Sequence, residues 1–220
     1  MQIVIGKLLP AAELDTIRGV LKRVRFVDGR GTAGFAARLV KNNSQAEGAE
    51  RSLETIRKLI AERVLGNEVF RQAIRPKALS PLLFSRYDKA MNYGSHVDDA
   101  IMNGMRTDVS FTLFLSEPKD YAGGELVIES AAGEEAFKLA AGSLVAYPST
   151  ALHRVERVTR GARLAAVGWA RSFVRDAARR ELLFDLDTAR HRIFSRAGKS
   201  EEFDLVSKSF ANLMRMWAED

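Results

Sequence analysis

The chain has 220 residues, 46% hydrophobic and 28% charged, which fits one globular domain with room for an appendage. Cysteine is absent, so disulfides, iron–sulfur clusters and thiolate zinc are excluded, and any metal must be held by His, Asp, Glu or backbone. The net charge of +6 comes from 34 basic and 28 acidic residues. They are scattered with alternating sign and form no basic run, so they read as a solvated surface with a minor allowance for an anionic substrate, not as a nucleic-acid face. Met1–Lys7 lacks the basic and long apolar regions of a secretory signal, and no apolar run approaches the roughly 18 residues of a membrane span. The expected compartment is the cytoplasm, with no membrane partner.

In chain order, residues 2–9 read as a short strand. Pro10 then opens an amphipathic helix with Leu14, Ile17, Leu21 and Val24 at helical spacing. Asp28-Gly29-Arg30-Gly31 is a turn. Ser44-Gln45-Ala46-Glu47 has the form of a capping box and announces a second helix, with Leu53, Ile56, Ile60 and Val64 inside and Gly66-Asn67 as its stop. These helices are expected to form a support layer without chemistry of its own.

From about residue 78 the period changes. Strands are expected at 82–87, 108–115, 125–129, 136–139, 143–147, 153–158 and 163–171, separated by Gly, Pro and Ser turns, which suggests a sandwich or jelly roll. Thr159-Arg160-Gly161-Ala162 reads as a hairpin turn between the last two. Beyond residue 171 helices return. Val174, Ala178, Leu182, Leu186, Ala189 and Ile193 form one stripe, and Gly198 caps it. Ser200 opens a last helix with Phe203, Val206, Phe210, Leu213 and Trp217 on its face. This hairpin could cover a sheet or form a homo-oligomer contact. The implied division is 1–77, 78–171 and 172–220: N-terminal strands and support helices, β core, and helical extension.

Chemistry concentrates between Tyr87 and Asp98. His96 and Asp98 stand at i and i+2, so on extended backbone both side chains aim at one point. A neutral imidazole and a carboxylate so placed make two of the three ligands of a facial-triad iron site, and His153 is available as the third. Arg163, Ala165, Val167 and Trp169 alternate onto one side of a strand, and that side is mostly apolar. An inward guanidinium needs an anion, since an unpaired buried charge costs on the order of 3–5 kcal/mol. A carboxylate co-substrate held bidentately would supply it, and so would a core salt bridge to Asp108 or Glu125.

Together, His96-Val97-Asp98, His153-Arg154-Val155 and Arg163 resemble the iron(II)- and 2-oxoglutarate-dependent dioxygenases. Tyr87, Gly124-Glu125-Leu126, Gly142 to Ser149, Val158 to Arg163 and Trp169 narrow the resemblance to the bacterial PKHD-type hydroxylases, relatives of prolyl 4-hydroxylase. It extends through Arg175-Asp176 and Leu182 to Asp187. What the resemblance implies is an α+β fold with a mainly β core, a double-stranded β-helix (jelly roll) carrying N-terminal support helices and a C-terminal helical hairpin. It implies Fe(2+) on His96, Asp98 and His153, and 2-oxoglutarate with its far carboxylate on Arg163 and Tyr87 beside it. O₂ and a small-molecule or peptide substrate are the other partners, with L-ascorbate as an accessory reductant. Arg157 departs from the pattern, standing where many relatives have proline.

Other features are set aside. Gly198-Lys199-Ser200 lacks the first glycine and the strand of a P-loop. His191 reads as a surface residue, Asp99 as solvated, and Glu134-Glu135 as a charged turn. Two further functional readings stay open on the residues: a non-catalytic iron and 2-oxoglutarate sensor, and a zinc hydrolase on the same three ligands, the latter disfavoured because no clear general base stands near.

Overall fold

The computed structural model describes residues 1–48 and 51–220. The N-terminal part supplies strands β1 (Ile3–Ile5), β2 (Phe26–Asp28), β3 (Lys41–Asn42) and β4 (Ser44–Ala46), and helices α1 (Ala11–Leu21), α2 (Ala37–Val40), α3 (Arg51–Gly66) and α4 (Glu68–Ile74). Next come β5 (Pro76–Leu79), β6 (Leu83–Tyr87), β7 (Asn92–His96), the short pair β8 (Ile101–Met102) and β9 (Met105–Arg106), and β10 (Val109–Phe114). The core is completed by β11 (Tyr121–Ala122), β12 (Leu126–Ser130), β13 (Gly133–Phe137), β14 (Leu144–Pro148), β15 (His153–Val155), β16 (Arg160–Gly161) and β17 (Arg163–Ser172). Helices α5 (Ala177–Ala197) and α6 (Glu201–Trp217) follow.

Two antiparallel sheets make the jelly roll. The larger runs β1-β14-β10-β17-β6-β4-β2, with β5 also paired to β17; the smaller runs β13-β12-β15-β7-β3. Residues from both sheets, among them Tyr87, Phe114, Tyr147, Leu126, Ile128 and Val155, pack in one cluster between them. The other face of the larger sheet meets α1, α3 and α4: Phe111, Leu113 and Leu144 join Ile17, Leu53, Ile56, Ile60 and Phe70. Every residue of β10 is therefore buried, Phe111 and Leu113 toward the helices and Ser110, Thr112 and Phe114 toward the opposite sheet. Burial on both faces does not make β10 uniformly apolar: Ser110 and Thr112 are buried on the face toward the opposite sheet.

At Gly168, on β17, side chains from the two neighbouring strand segments of the same sheet close over the backbone. A Cβ there would lie 2.5 Å from Phe111 Cζ and 2.6 Å from Leu82 Cδ2. Gly168→Ala is expected to cost about 1–3 kcal/mol through overpacking, read as a lower urea midpoint at unchanged m-value.

Three expectations need correction and one an addition. Ser44–Ala46 is not a capping box: it is β4, paired to β2 and β6, and backbone donors taken up by a sheet need no helix cap. Gly66-Asn67 does stop α3, but the Asn67 side chain then caps a further helix, α4, accepting from Phe70 N at 3.0 Å. Residues 159–162 do not form a hairpin between β15 and β17. β15 already has β12 and β7 on its two sides, so the chain crosses to the larger sheet, with β16 pairing to β11 on the way. Glu134 and Glu135 lie within β13, not in a turn.

The buried face of α5 is Arg180, Leu183 and Asp187, and Leu182 of the expected stripe is 54% exposed. Two charges can face inward because each is satisfied. Arg180 donates to the carbonyls of Val174 (2.8 Å) and Arg175 (2.7 Å); Asp187 accepts from Arg75 (2.6 Å) and Arg190 (2.5 Å). Val174, Leu183 and Phe210 form the small core under the hairpin, and Arg75, at the end of α4, stacks on Phe210 at 4.9 Å. Gly198 and Ser200 cap α5 and α6 as expected. Among the described residues no helix is long and apolar enough to cross a membrane.

Candidate active site

β7 and β15 are neighbours in the smaller sheet, and their register sets His153 opposite His96. Asp98 lies two residues past His96, just beyond the end of β7. One ligand atom from each of the three residues lies within 4.8 Å of the other two. The imidazoles approach to 4.2 Å between ring centroids, and His153 Nε2 is 3.8 Å from Asp98 Oδ2.

Each histidine is oriented by its own backbone. His96 Nδ1 is 2.8 Å from the Gly94 carbonyl and His153 Nδ1 is 3.1 Å from the Ala151 carbonyl. A carbonyl only accepts, so both rings carry a proton on Nδ1, which leaves Nε2 as the atom each can offer to a metal. Tyr93 stacks on His96 at 3.6 Å. Burial, and then the neighbouring His153, pull the His96 pKa down to about 4, which keeps the ring neutral near pH 7. Asp98 Oδ2 accepts from Ser110 Oγ at 2.5 Å, and Ser110 is 2.8 Å from Ser149 Oγ. Two imidazoles and a carboxylate on one side leave room for further ligands on the other.

Arg163 opens β17 directly opposite Tyr87 of β6. It is 1% exposed, and its Nε and Nη2 have no hydrogen-bond partner. The salt bridge to Asp108 or Glu125 is not made: Asp108 binds Arg106 at 2.8 Å and Glu125 binds Lys138 at 3.2 Å. What surrounds the guanidinium is aromatic, with Tyr87 and Phe114 ring centroids at 5.2 and 5.3 Å. Gly124, at φ +70°, passes so close that a Cβ would sit 3.2 Å from Arg163 Cδ. The Tyr121 hydroxyl is likewise buried without a partner. Burial raises the Tyr87 pKa against the opposing pull of Arg163, so its hydroxyl stays protonated. A buried fork of donors and phenolic hydroxyls fits a carboxylate entering from the cavity.

The triad, Arg163 and Tyr87 line one cavity of about 710 Å³, open mouth included. Its wall also contains Thr32, Lys41, Asn43 and Gln45, from the part of the chain expected to be mere support, together with Asp99 and Met102. Alternation could not have found them, because residues 41–45, Lys-Asn-Asn-Ser-Gln, are all polar and mark no face. Asp99, expected to be solvated, is exposed but sits at the cavity wall. His191 is exposed on α5, with Nδ1 2.7 Å from the Asp187 carbonyl.

Residues 82–171 match the 2OG-Fe(II) oxygenase superfamily, the class whose chemistry calls for such a cluster beside a carboxylate seat. The fold agrees. A prolyl-4-hydroxylase from Pseudomonas putida superposes with a TM-score of 0.56, covering 78% of this chain and 92% of that one at 21% identity. HygX from Streptomyces hygroscopicus, solved with nickel and 2-oxoglutarate, gives 0.57 over 79% and 84% at 15% identity. Residues 176–219, which take in α5 and α6, match the PKHD-type hydroxylase C-terminal domain.

Along its whole length the chain is 53% identical to a PKHD-type hydroxylase of Acaryochloris marina, over 219 residues and 100% of both chains. It is 53% identical to one of Picosynechococcus sp. over 215 residues, 98% of both. The chain belongs to the PKHD-type hydroxylase family. It is an Fe(II)- and 2-oxoglutarate-dependent dioxygenase, and membership decides for the oxygenase over the sensor and the zinc hydrolase.

Proposed function

We propose that His96, Asp98 and His153 hold the iron, that Arg163 with Tyr87 seats the far carboxylate of 2-oxoglutarate, and that the substrate enters from the Lys41 side of the cavity. The observation that carries this reading is the shared cavity: three convergent ligand atoms and a buried guanidinium without a counter-charge line the same space. When bound, ferrous iron with 2-oxoglutarate and O₂ supplies the oxidising power, and 2-oxoglutarate leaves as succinate and CO₂ while the substrate gains a hydroxyl.

The protein's share is placement. The Gly94 and Ala151 carbonyls hold both imidazole protons on Nδ1. Ser110 and Ser149 fix the carboxylate of Asp98. Leu126, Val155 and Val167 on the cavity wall limit water. Exposed Phe35 (86%), Leu39 (83%), Val97 (50%) and Ile101 (60%) lie on segments that border the mouth. They support a substrate that reaches beyond the cavity, such as a peptide segment, over a very small molecule.

Ser110 gives the test. Wild-type protein with iron(II) and 2-oxoglutarate is expected to release succinate in the presence of O₂. Ser110→Ala should weaken ferrous binding about 10–100-fold in an anaerobic titration, with turnover recovering at saturating iron. Unchanged iron affinity in Ser110→Ala would count against Asp98 as a ligand.

A further inference from the structure

Lys41 is a charged side chain of the cavity that neither the iron nor the 2-oxoglutarate assignment uses. It is 7% exposed and lines the same wall as His96, Asp98 and Trp169. Its Nζ donates to Thr32 Oγ1 at 2.9 Å, and that hydroxyl lies 2.7 Å from Gln45 Oε1. The ammonium also sits 5.0 Å above the Tyr93 ring, the ring stacked on His96. Lys41 is thus held one aromatic ring away from the candidate iron ligand. Burial lowers its pKa to about 8, with Asp98 and Asp28 opposing, so it is mostly protonated near pH 7.

An ammonium has three N–H donors, and a single side-chain acceptor, Thr32, takes one of them. No carboxylate lies within ion-pairing distance of Nζ among the described residues. A buried cation without a counter-ion is a poor stabiliser, and an apolar side chain would fill the space at lower cost. The charges of the filled site sharpen the point. Iron brings two positive charges, Asp98 one negative, Arg163 one positive and 2-oxoglutarate two negative, which cancel. Lys41 leaves one positive charge over. The other charged wall residue, Asp99, is exposed against Gly34, where a Cβ would meet its carboxylate oxygens at 2.8 and 2.9 Å, and is screened by water.

We infer that Lys41 is a substrate-recognition residue, and that the molecule hydroxylated carries a carboxylate that docks on Lys41 Nζ. One residual charge matches a carboxylate better than a doubly charged phosphate. The inference rests on the assignment of iron and 2-oxoglutarate proposed above.

The test is calorimetric titration of the anaerobic protein loaded with iron and 2-oxoglutarate. The probes are matched pairs: N-acetylglycine, N-acetyl-L-proline and N-acetyl-L-leucine, each against its amide. At least one carboxylate should bind wild type tenfold tighter than its amide. Lys41→Met should lose that preference and Lys41→Arg retain part of it, while the 2-oxoglutarate affinity of both variants stays within about twofold of wild type. The inference is overturned if no pair shows the preference, if Lys41→Met keeps it, or if 2-oxoglutarate binding to Lys41→Met falls tenfold, which would put Lys41 in the co-substrate cradle. Should wild type fail to bind iron and 2-oxoglutarate in the same cell, the site assignment falls first and this inference with it.

Discussion

Arg163→Met is expected to raise the stability of the protein free of 2-oxoglutarate and to remove most of its affinity for that co-substrate. The two effects share one cause. The guanidinium is 1% exposed, unpaired, and has two nitrogens without an acceptor. In the protein alone its desolvation is offset only in part, by the Tyr87 and Phe114 rings. Exchanging buried charge for apolar volume is commonly stabilising by about 1–4 kcal/mol, and each kcal/mol shifts the melting temperature of a chain this long by roughly 2–4 °C. Removing one partner of a buried, hydrogen-bonded charge pair costs about 2 kcal/mol or more in binding, so the dissociation constant should rise about 30-fold or more.

Arg163→Lys should fall between, at about tenfold weaker binding or worse, because a point charge cannot reproduce the planar fork. Thermal unfolding with and without 2-oxoglutarate, alongside calorimetry, separates the effects. Wild type should gain more from the ligand than Arg163→Met does. Equal gains, or an unchanged affinity in Arg163→Lys, would remove Arg163 from the carboxylate seat.

His153→Ala and Asp98→Ala are each expected to abolish stable ferrous binding and to lower turnover by roughly three orders of magnitude or more. The residues act as a unit, and groups that act together are grossly non-additive when removed singly or in combination. The double variant should accordingly be no worse than either single one. The three candidate ligand atoms lie within 4.8 Å of one another, and loss of one would leave two protein ligands for an ion already open on its other side. The measurements are iron per chain after anaerobic reconstitution and desalting, and succinate formed per chain, with far-UV circular dichroism to confirm folding. Full iron retention in either single variant would mean that the cluster is not the iron site.

How much of this is legible in the text of the chain depends on the range of the interaction. His96 and Asp98 converge because extended backbone repeats every two residues, a purely local rule. The faces of α1 and α3 follow from spacing: Leu14 and Ile17, then Leu53, Ile56, Ile60 and Val64, are buried as their period requires. The lack of cysteine limits the donor set before any fold is known. A resemblance spread over His96, Asp98, His153, Arg163 and the C-terminal segment carries the family, because those residues and spacings occur together.

Only the tertiary structure decided which strands are neighbours. Pairing is a long-range choice that sequence periodicity does not encode. It makes Ser44–Ala46 a strand, puts β15 and β17 in different sheets, and brings Lys41 to within an aromatic ring of His96. The inward face of α5 has the same origin. Arg180 is satisfied by the Val174 and Arg175 carbonyls just ahead of the helix. Asp187 is satisfied by Arg190 one turn on and by Arg75, 112 residues away, the one partner no local reading could supply. A charge is excluded from a core only while it lacks a partner, and partners are assigned in three dimensions.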